Sequence, residues 1–371
     1  MRYEELGVKP MINAFDTITT MGGSRMHPAV LQSMAEAARC FVNVHELLEK
    51  AGARIAQMTC NEGAFIAAGA ATGLMLSAAA CIAGSDPERI SRLPDTEGLA
   101  NEILLHRCQR ISWSRCVRQA GAKLVEFGDE NGTRLSDLEA AYTRRTAAVL
   151  YYASSWYEEN ALSLEEVIES ARRHAVPVIV DAAANLPPVE NLWRYTQLGA
   201  DLVIFSGGKG LGGPQCTGLV LGRKDLVDAC RLNGNPYSAI GRVAKVGKEE
   251  IMGLLTALER FLTRDHEAER ALREQWVERL VAGIEAPGVV ASRIYPGPHG
   301  QTYPRVKVWF SDADRCQAVI KALAAGDPKI VVGAYPHDRQ TLYINPLTLE
   351  EEEVFLIADK LKALLSDDGR G

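Results

Sequence analysis

The chain has 371 residues, 24% of them charged, and a formal net charge of -6. That length suggests roughly two domains with a large buried core, and the balanced composition excludes a disordered, collagen-like or mini-protein chain. An acidic total supplies no basic stripe for nucleic acid, so no nucleic-acid partner is expected.

The first residues, Met1-Arg2-Tyr3-Glu4-Glu5, carry charge where a signal peptide needs an apolar run, which points to a cytoplasmic protein. Residues 1–36 read as an N-terminal arm with a turn at Met21-Gly22-Gly23-Ser24. Pro28 opens a helix over 29–38, and a second helix covers 46–58. The span 64–84 has no charged residue and could cross a bilayer by length. It is mostly Ala and Gly and lacks flanking basic and aromatic residues, so a buried helix is expected and no membrane association. Residues 86–101 read as a charged surface excursion.

From there strand and helix signals alternate. Strands are expected over 103–105, 123–127, 147–152, 176–180, 201–205 and 218–222. Helices are expected over 114–120 and 134–142, and from Ser163, where Ser163-Leu164-Glu165-Glu166 reads as a capping box. The strands are near-continuous apolar runs, as parallel strands covered on both faces should be. The pattern predicts an α/β large domain over 37–246 with a mostly parallel, doubly wound sheet. A linking helix over 249–262 opens a smaller α+β region, 247–371. It carries helices over 267–284, 313–325 and 349–365 and strands over 305–310, 330–332 and 341–344. Eight cysteines are scattered without a CxxC pair, which argues against a metal site and for reduced thiols packed as small hydrophobes.

Three motifs carry chemistry. Ala67-Ala68-Gly69-Ala70-Ala71-Thr72-Gly73 opens the apolar helix, and small residues at a helix N-terminus leave amides free for phosphate. The same letters would also serve helix packing. Val178-Ile179-Val180-Asp181-Ala182-Ala183 places a carboxylate at the end of a buried strand, beside the ligand crevice of α/β folds, where an Asp can equally cap a loop. Phe205-Ser206-Gly207-Gly208-Lys209-Gly210-Leu211-Gly212-Gly213-Pro214-Gln215 places a lysine among glycines after another buried strand. It lacks Walker A spacing, and a lysine in an apolar setting can act as a Schiff-base nucleophile rather than a solvated charge. Phosphate cradle, acid and lysine in this order are the parts that pyridoxal 5'-phosphate needs, with Ser206 a further phosphate donor.

With these motifs, and with Asn13-Ala14 and the segment from Ile240-Gly241-Arg242 to Lys245-Val246-Gly247, the sequence resembles the selenocysteine synthase-like family of fold-type I pyridoxal phosphate enzymes. Within it the likeness is to the D-glucosaminate-6-phosphate ammonia-lyase branch. The resemblance implies the PLP-dependent transferase fold, with Lys209 as the Schiff-base lysine and Asp181 as partner of the ring nitrogen. Gly69, Ala70, Ala71, Thr72, Ser206 and Ala183 then hold the cofactor. It also implies a homodimer or higher homo-oligomer with active sites at the interface. His106, after the strand over 103–105, is the candidate to stack on the ring and to act in catalysis, and a loop histidine with no contact is the plain alternative. Asn13, Arg25, Arg242, Lys245 and Arg339 are the candidates to bind an anionic substrate, with Arg305 a weaker one. Three functions stay open: α,β-elimination from a 2-amino-3-hydroxy acid like D-glucosaminate 6-phosphate, racemisation or retro-aldol cleavage, and a non-catalytic cofactor-binding homologue.

Overall fold

The apolar runs between turn signals form strands. Twelve occur among the described residues, 1–335 and 337–367 of a computed structural model: β1 (Met11–Ala14), β2 (Gly63–Ala67), β3 (Glu102–His106), β4 (Lys123–Phe127), β5 (Thr146–Tyr152), β6 (Val178–Asp181), β7 (Leu202–Ser206), β8 (Gly218–Gly222), β9 (Val289–Ile294), β10 (Arg305–Phe310), β11 (Lys329–Tyr335) and β12 (Asp338–Ile344). They divide between two compact units. The larger holds Met26–Thr263 with Pro298–Gly300, and the smaller holds Met1–Arg25, Arg264–Gly297 and Gln301–Gly371.

The larger unit is built on a seven-stranded sheet of order β2-β8-β7-β6-β5-β3-β4. β4, β3, β5, β6 and β7 run parallel, and β8 pairs antiparallel with both β7 and β2. The strand order reverses at β3 and β5, and ligands of open α/β sheets bind at the carboxyl ends of such strands. Its core takes in Leu104, Val149, Ile179, Ile204 and Leu219. An α/β unit with a mostly parallel sheet is what the strand pattern predicts, and it agrees with the fold-type I architecture that the resemblance implies.

Several elements differ from the sequence reading. The uncharged span 64–84 is not one helix: its start is strand β2, and the Ala70–Ala83 helix begins after a turn at Gly69. Residues 73–80 of the helix are all buried because the helix lies on the sheet that the start of the span helps to build, while Ala71 in its first turn is exposed. Residues 114–120 fall in a 3-10 helix, Ser112–Ala120, and a helix over Asn191–Leu198 gave no clear apolar period. The Ser163–Glu166 capping box is present, with Glu166 N–H donating to Ser163 Oγ at 3.2 Å and Ser163 N–H to Glu166 Oε2 at 2.9 Å.

In the smaller unit a five-stranded sheet has the order β1-β11-β12-β10-β9 and its own core, including Val306, Val308, Phe310, Leu342 and Ile357. The residues read as an arm are divided. β1 pairs parallel with β11, so residues 1–25 belong to the smaller unit, while the Pro28–Ala38 helix belongs to the larger. The Lys248–Thr263 helix, read as a linker, also belongs to the larger unit, burying Ile251, Leu254, Leu258 and Phe261.

Candidate active site

Side-chain alternation sorts the strand ends of the larger unit onto two faces. Ile204 and Val220 lie under the Ala70–Ala83 helix, where a Cβ on Gly73 would stand 3.0 Å from Ile204 Cγ2. Phe205, the next residue, packs instead against Tyr195 of the Asn191–Leu198 helix, with ring centroids 6.5 Å apart. Asp181 is in register with Ile204 on one side and Tyr152 on the other. Asp181 and Tyr152 therefore share the face of the Ala70–Ala83 helix, and so does Ser206, two residues beyond Ile204.

The start of that helix is seated on β8. A Cβ on Gly218 would lie 2.4 Å from the carbonyl carbon of Gly69 and 2.6 Å from the nitrogen of Ala70, so only glycine admits the turn at this distance. Gly69 itself has φ +84° and caps the helix without a side chain. The first intrahelical bond runs from Gly73 N–H to Gly69 O at 3.1 Å, which leaves the amides of Ala70, Ala71 and Thr72 ahead of it to meet an anion. Thr72 uses its hydroxyl differently from the expectation. It donates to Ala68 O at 2.8 Å and so stays with its own helix.

Asp181 is 9% exposed, and its Oδ1 accepts the Ala183 N–H at 3.0 Å. Burial raises its pKa; that backbone bond and the charge of Lys209 oppose the rise. Lys209 therefore stands within electrostatic reach of Asp181, in the glycine-rich turn that follows β7. The turn is held close to the body of the unit: a Cβ on Gly210 would fall 2.2 Å from Leu186 O. The Ser112–Ala120 3-10 helix packs beside the Ala70–Ala83 helix on the same face. Its Ser114 Oγ accepts the Tyr152 hydroxyl at 3.2 Å, and its Cys116 thiol is raised by burial and by the Asp181 charge. No spacing in the sequence marked Ser114 or Cys116 as site residues.

His106 is a correction. Leu105 is in register with Leu150, which has the same parity as Tyr152, so Leu105 shares the Asp181 face and His106 points to the other. Its ring is 0% exposed, 4.5 Å from Phe127 and 5.8 Å from Tyr151, with Nε2 accepting the Leu162 N–H at 3.3 Å. Burial lowers its pKa to about 4. It has no open face on which a cofactor could stack, and it is a neutral core histidine.

The substrate candidates separate. Asn13 closes a turn in the smaller unit, with Oδ1 accepting Phe15 N–H and Nδ2 donating to Asp16 O. Arg25 is ion-paired to Glu353 and near Glu350, and Arg339 to Asp314 at 3.0 Å. Arg305 is 3% exposed and bound to Asp16 at 3.1 Å. Asn13 and Arg305 are thus held by partners within the smaller unit, whereas the Arg25 and Arg339 pairs lie at its surface. Arg242 and Lys245 are exposed on the larger unit, Arg242 Nη1 lying 3.5 Å from Asn235 Oδ1.

The face thus offers an amine for an aldehyde, a buried carboxyl for a basic ring nitrogen and a helix start for an anionic tail, and pyridoxal phosphate carries all three groups. The fold and this face define a fold-type I pyridoxal phosphate enzyme. The sequence profile of L-seryl-tRNA selenium transferase (SelA) matches residues 108–285. A 5'-C-glycyluridine monooxygenase-decarboxylase from a Streptomyces species is 35% identical, covering 100% of this chain and 93% of that protein. The D-glucosaminate-6-phosphate ammonia lyase of Salmonella typhimurium is 30% identical, covering 98% of this chain and 97% of that protein. A structure of D-glucosaminate-6-phosphate ammonia-lyase superposes with a TM-score of 0.86 at 30% identity over 98% of each chain. A serine palmitoyltransferase structure, at 17% identity and a TM-score of 0.63, shares the fold. The chain belongs to the selenocysteine synthase-like family of pyridoxal phosphate enzymes, together with these two full-length relatives.

Proposed function

We propose that the enzyme is an ammonia-lyase acting on an anionic 2-amino-3-hydroxy acid of the D-glucosaminate 6-phosphate type. What supports this is the charge of Lys209 acting on buried Asp181, with the Gly69–Thr72 start of the helix that covers the Asp181 face, in a chain 30% identical over 98% of its length to an enzyme of that activity. Bound pyridoxal phosphate supplies an aldehyde that condenses with the substrate amine and a ring that takes up electrons from a bond broken at the adjacent carbon. Lys209 would hold it covalently, Asp181 would keep its ring nitrogen protonated, and Ser206 with the amides of Ala70, Ala71 and Thr72 would hold its phosphate. Once displaced by substrate, the Lys209 amine takes the proton from the α-carbon as general base. The β-hydroxyl leaves as water, and hydrolysis returns one water and frees ammonia, so a 3-deoxy-2-keto acid and ammonia are the net products. Arg242 and Lys245, exposed and without an ion-pair partner among the described residues, are the cations for the substrate's carboxylate or phosphate.

The test is release of ammonia and 2-keto acid from D-glucosaminate 6-phosphate, beside a panel of D- and L-hydroxy amino acids. No release from protein carrying the cofactor overturns the lyase reading and leaves racemisation or retro-aldol cleavage. The 35% identity to a monooxygenase-decarboxylase favours one second reading. Oxygen uptake with release of carbon dioxide from an amino acid substrate would establish that reading instead. We further propose a homo-oligomer in the cytoplasm. Phe41 and Val243 stand fully or nearly fully exposed on the larger unit, where an apolar side chain gains by being covered, and all eight cysteines are free thiols. Light scattering giving a monomer mass would overturn the oligomer. Among the described residues no helix is long and apolar enough to cross a membrane.

A further inference from the structure

The larger unit has a cavity on the opposite face of the sheet from Asp181. Tyr151 is one residue before Tyr152, so its side chain points away from the Ala70–Ala83 helix, and Tyr195 lies on that same far side against Phe205. Between them, under the Leu164–Arg173 and Asn191–Leu198 helices, is a cavity of about 570 Å³ whose wall also includes Asn185, Asn191 and His299. Neither Asp181, Lys209, Ser206 nor the Gly69–Thr72 turn reaches it. A site of this volume suits a small organic molecule.

The cavity wall holds one phenol hydroxyl that no protein group bonds and one buried polar atom without a partner. Tyr151 is 2% exposed as a residue, and among the described residues nothing bonds its hydroxyl, which keeps some accessible surface. Asn191 is 5% exposed; its Nδ2 donates to Asn185 O at 2.7 Å while its Oδ1 is buried with no donor. Buried polar groups left unpaired carry a cost that a ligand's hydroxyl or N–H group removes. The rest of the wall is fixed. The Tyr195 hydroxyl accepts from Asn185 at 3.2 Å, Asn185 also donates to His299 O at 3.1 Å, and His299 Nδ1 is 2.8 Å from Ser154 Oγ.

The charge around this wall is negative. Glu158, Glu165 and Glu166 line the cavity against a single cation, Arg194. Glu166 is already engaged by Ser163, whereas Glu158 and Glu165 both act on the Tyr151 hydroxyl. Burial pushes the Tyr195 hydroxyl up to about 12 and the Tyr151 hydroxyl up as well, so both stay protonated. The carboxylates around the wall attract organic cations and repel phosphate and carboxylate ligands.

We propose that this cavity is a second binding site, for a small organic cation that carries a hydroxyl or N–H group, held by Tyr151, Tyr195, Asn191 and Glu158. It is not the site of the anionic substrate proposed above, and it stands whether or not that reading of the reaction holds. The loop from Asp181 to Asn185 has its first residue at the cofactor face and its last in the cavity wall, which gives the two sites a short covalent connection.

The probe is choline, a hydroxylated quaternary ammonium ion that cannot condense with the cofactor aldehyde, titrated calorimetrically into the cofactor-loaded enzyme. The expected result is saturable binding in the millimolar range or tighter. The uncharged isostere 3,3-dimethylbutan-1-ol and the phosphate ester phosphocholine should bind at least about tenfold more weakly. Tyr151→Phe and the surface change Glu158→Gln should each weaken choline at least about fivefold. Absorbance of the bound cofactor, unchanged in both variants, shows that the fold and the cofactor face are intact. Absence of saturable choline binding, equal binding of the uncharged isostere, or choline affinity unaffected by Glu158→Gln would each overturn the proposal.

Discussion

Asp181 and His106 look alike in the sequence, each a polar residue at the end of an apolar run, and the structure separates them by parity; Lys209 follows in the turn after β7. Asp181 and Ser206 have the parity of Ile204 and face the Ala70–Ala83 helix; His106 has the opposite parity and faces Phe127 and Tyr151. Their substitutions should differ accordingly. Lys209→Ala should give protein that borohydride no longer links covalently to the cofactor, with turnover below detection. Asp181→Ala should keep part of the cofactor absorbance but lose turnover by about 10²–10⁴, the range for a group that controls a proton in the reaction. Unchanged turnover in that variant would mean that another group holds the ring nitrogen. His106 should show itself in stability instead. Its folded pKa of about 4 lies below the unfolded 6.5, so the unfolded chain binds the extra proton. The stabilisation is complete above pH 6.5 and falls away as pH drops toward 4, by about 3 kcal/mol in all. Urea midpoints at pH 7.5 and pH 4.5 should therefore converge in His106→Asn relative to the parent protein.

At the scale of elements, backbone fit decides more than propensity. The Ala70–Ala83 helix has no charged or capping residue at its start, and what fixes its first turn is the contact of Gly69 and Ala70 with Gly218 on β8. Gly218→Ala would place a methyl group 2.4 Å from the Gly69 carbonyl carbon. It should cost about 1–3 kcal/mol as an overpacked contact and weaken cofactor binding more than any exposed glycine change. Fluorescence titration of the apo-enzyme with pyridoxal phosphate reads this directly, and an affinity equal to that of the parent would contradict the seating described here. The capping box at Ser163 was legible because its partners are three residues apart. The Gly218 contact was not, because its partners are about 150 positions apart and neither residue type is distinctive.

For the whole molecule, two separate cores make two units of stability. In the smaller one, Arg305 is 3% exposed, bonded to Asp16 at 3.1 Å and to the Tyr303 hydroxyl at 2.9 Å. Asp16→Ala leaves that guanidinium buried without its counter-charge, a change that costs about 3–5 kcal/mol. Calorimetry should show the smaller unit melting earlier, while the cofactor absorbance, which follows the larger unit, melts at its former temperature. A single transition shifted as a whole would show that the two cores unfold together.

Taken alone, the sequence determined the alternation of apolar strands and helices, hence the α/β class, and the order of cradle, acid and lysine, hence the cofactor. Those features are local: strand runs of four to seven residues, a glycine-rich turn, a residue at a strand end. Only the tertiary structure decided which strand-end residues share a face, because parity depends on register between strands far apart in the chain. It moved His106 from the cofactor face into the core, and it placed β1 beside β11 rather than in an arm. It also showed Arg25, Arg305 and Arg339 already paired with carboxylates. A sequence gives the charge of an arginine, and only its folded neighbours show whether that charge is still open to a ligand.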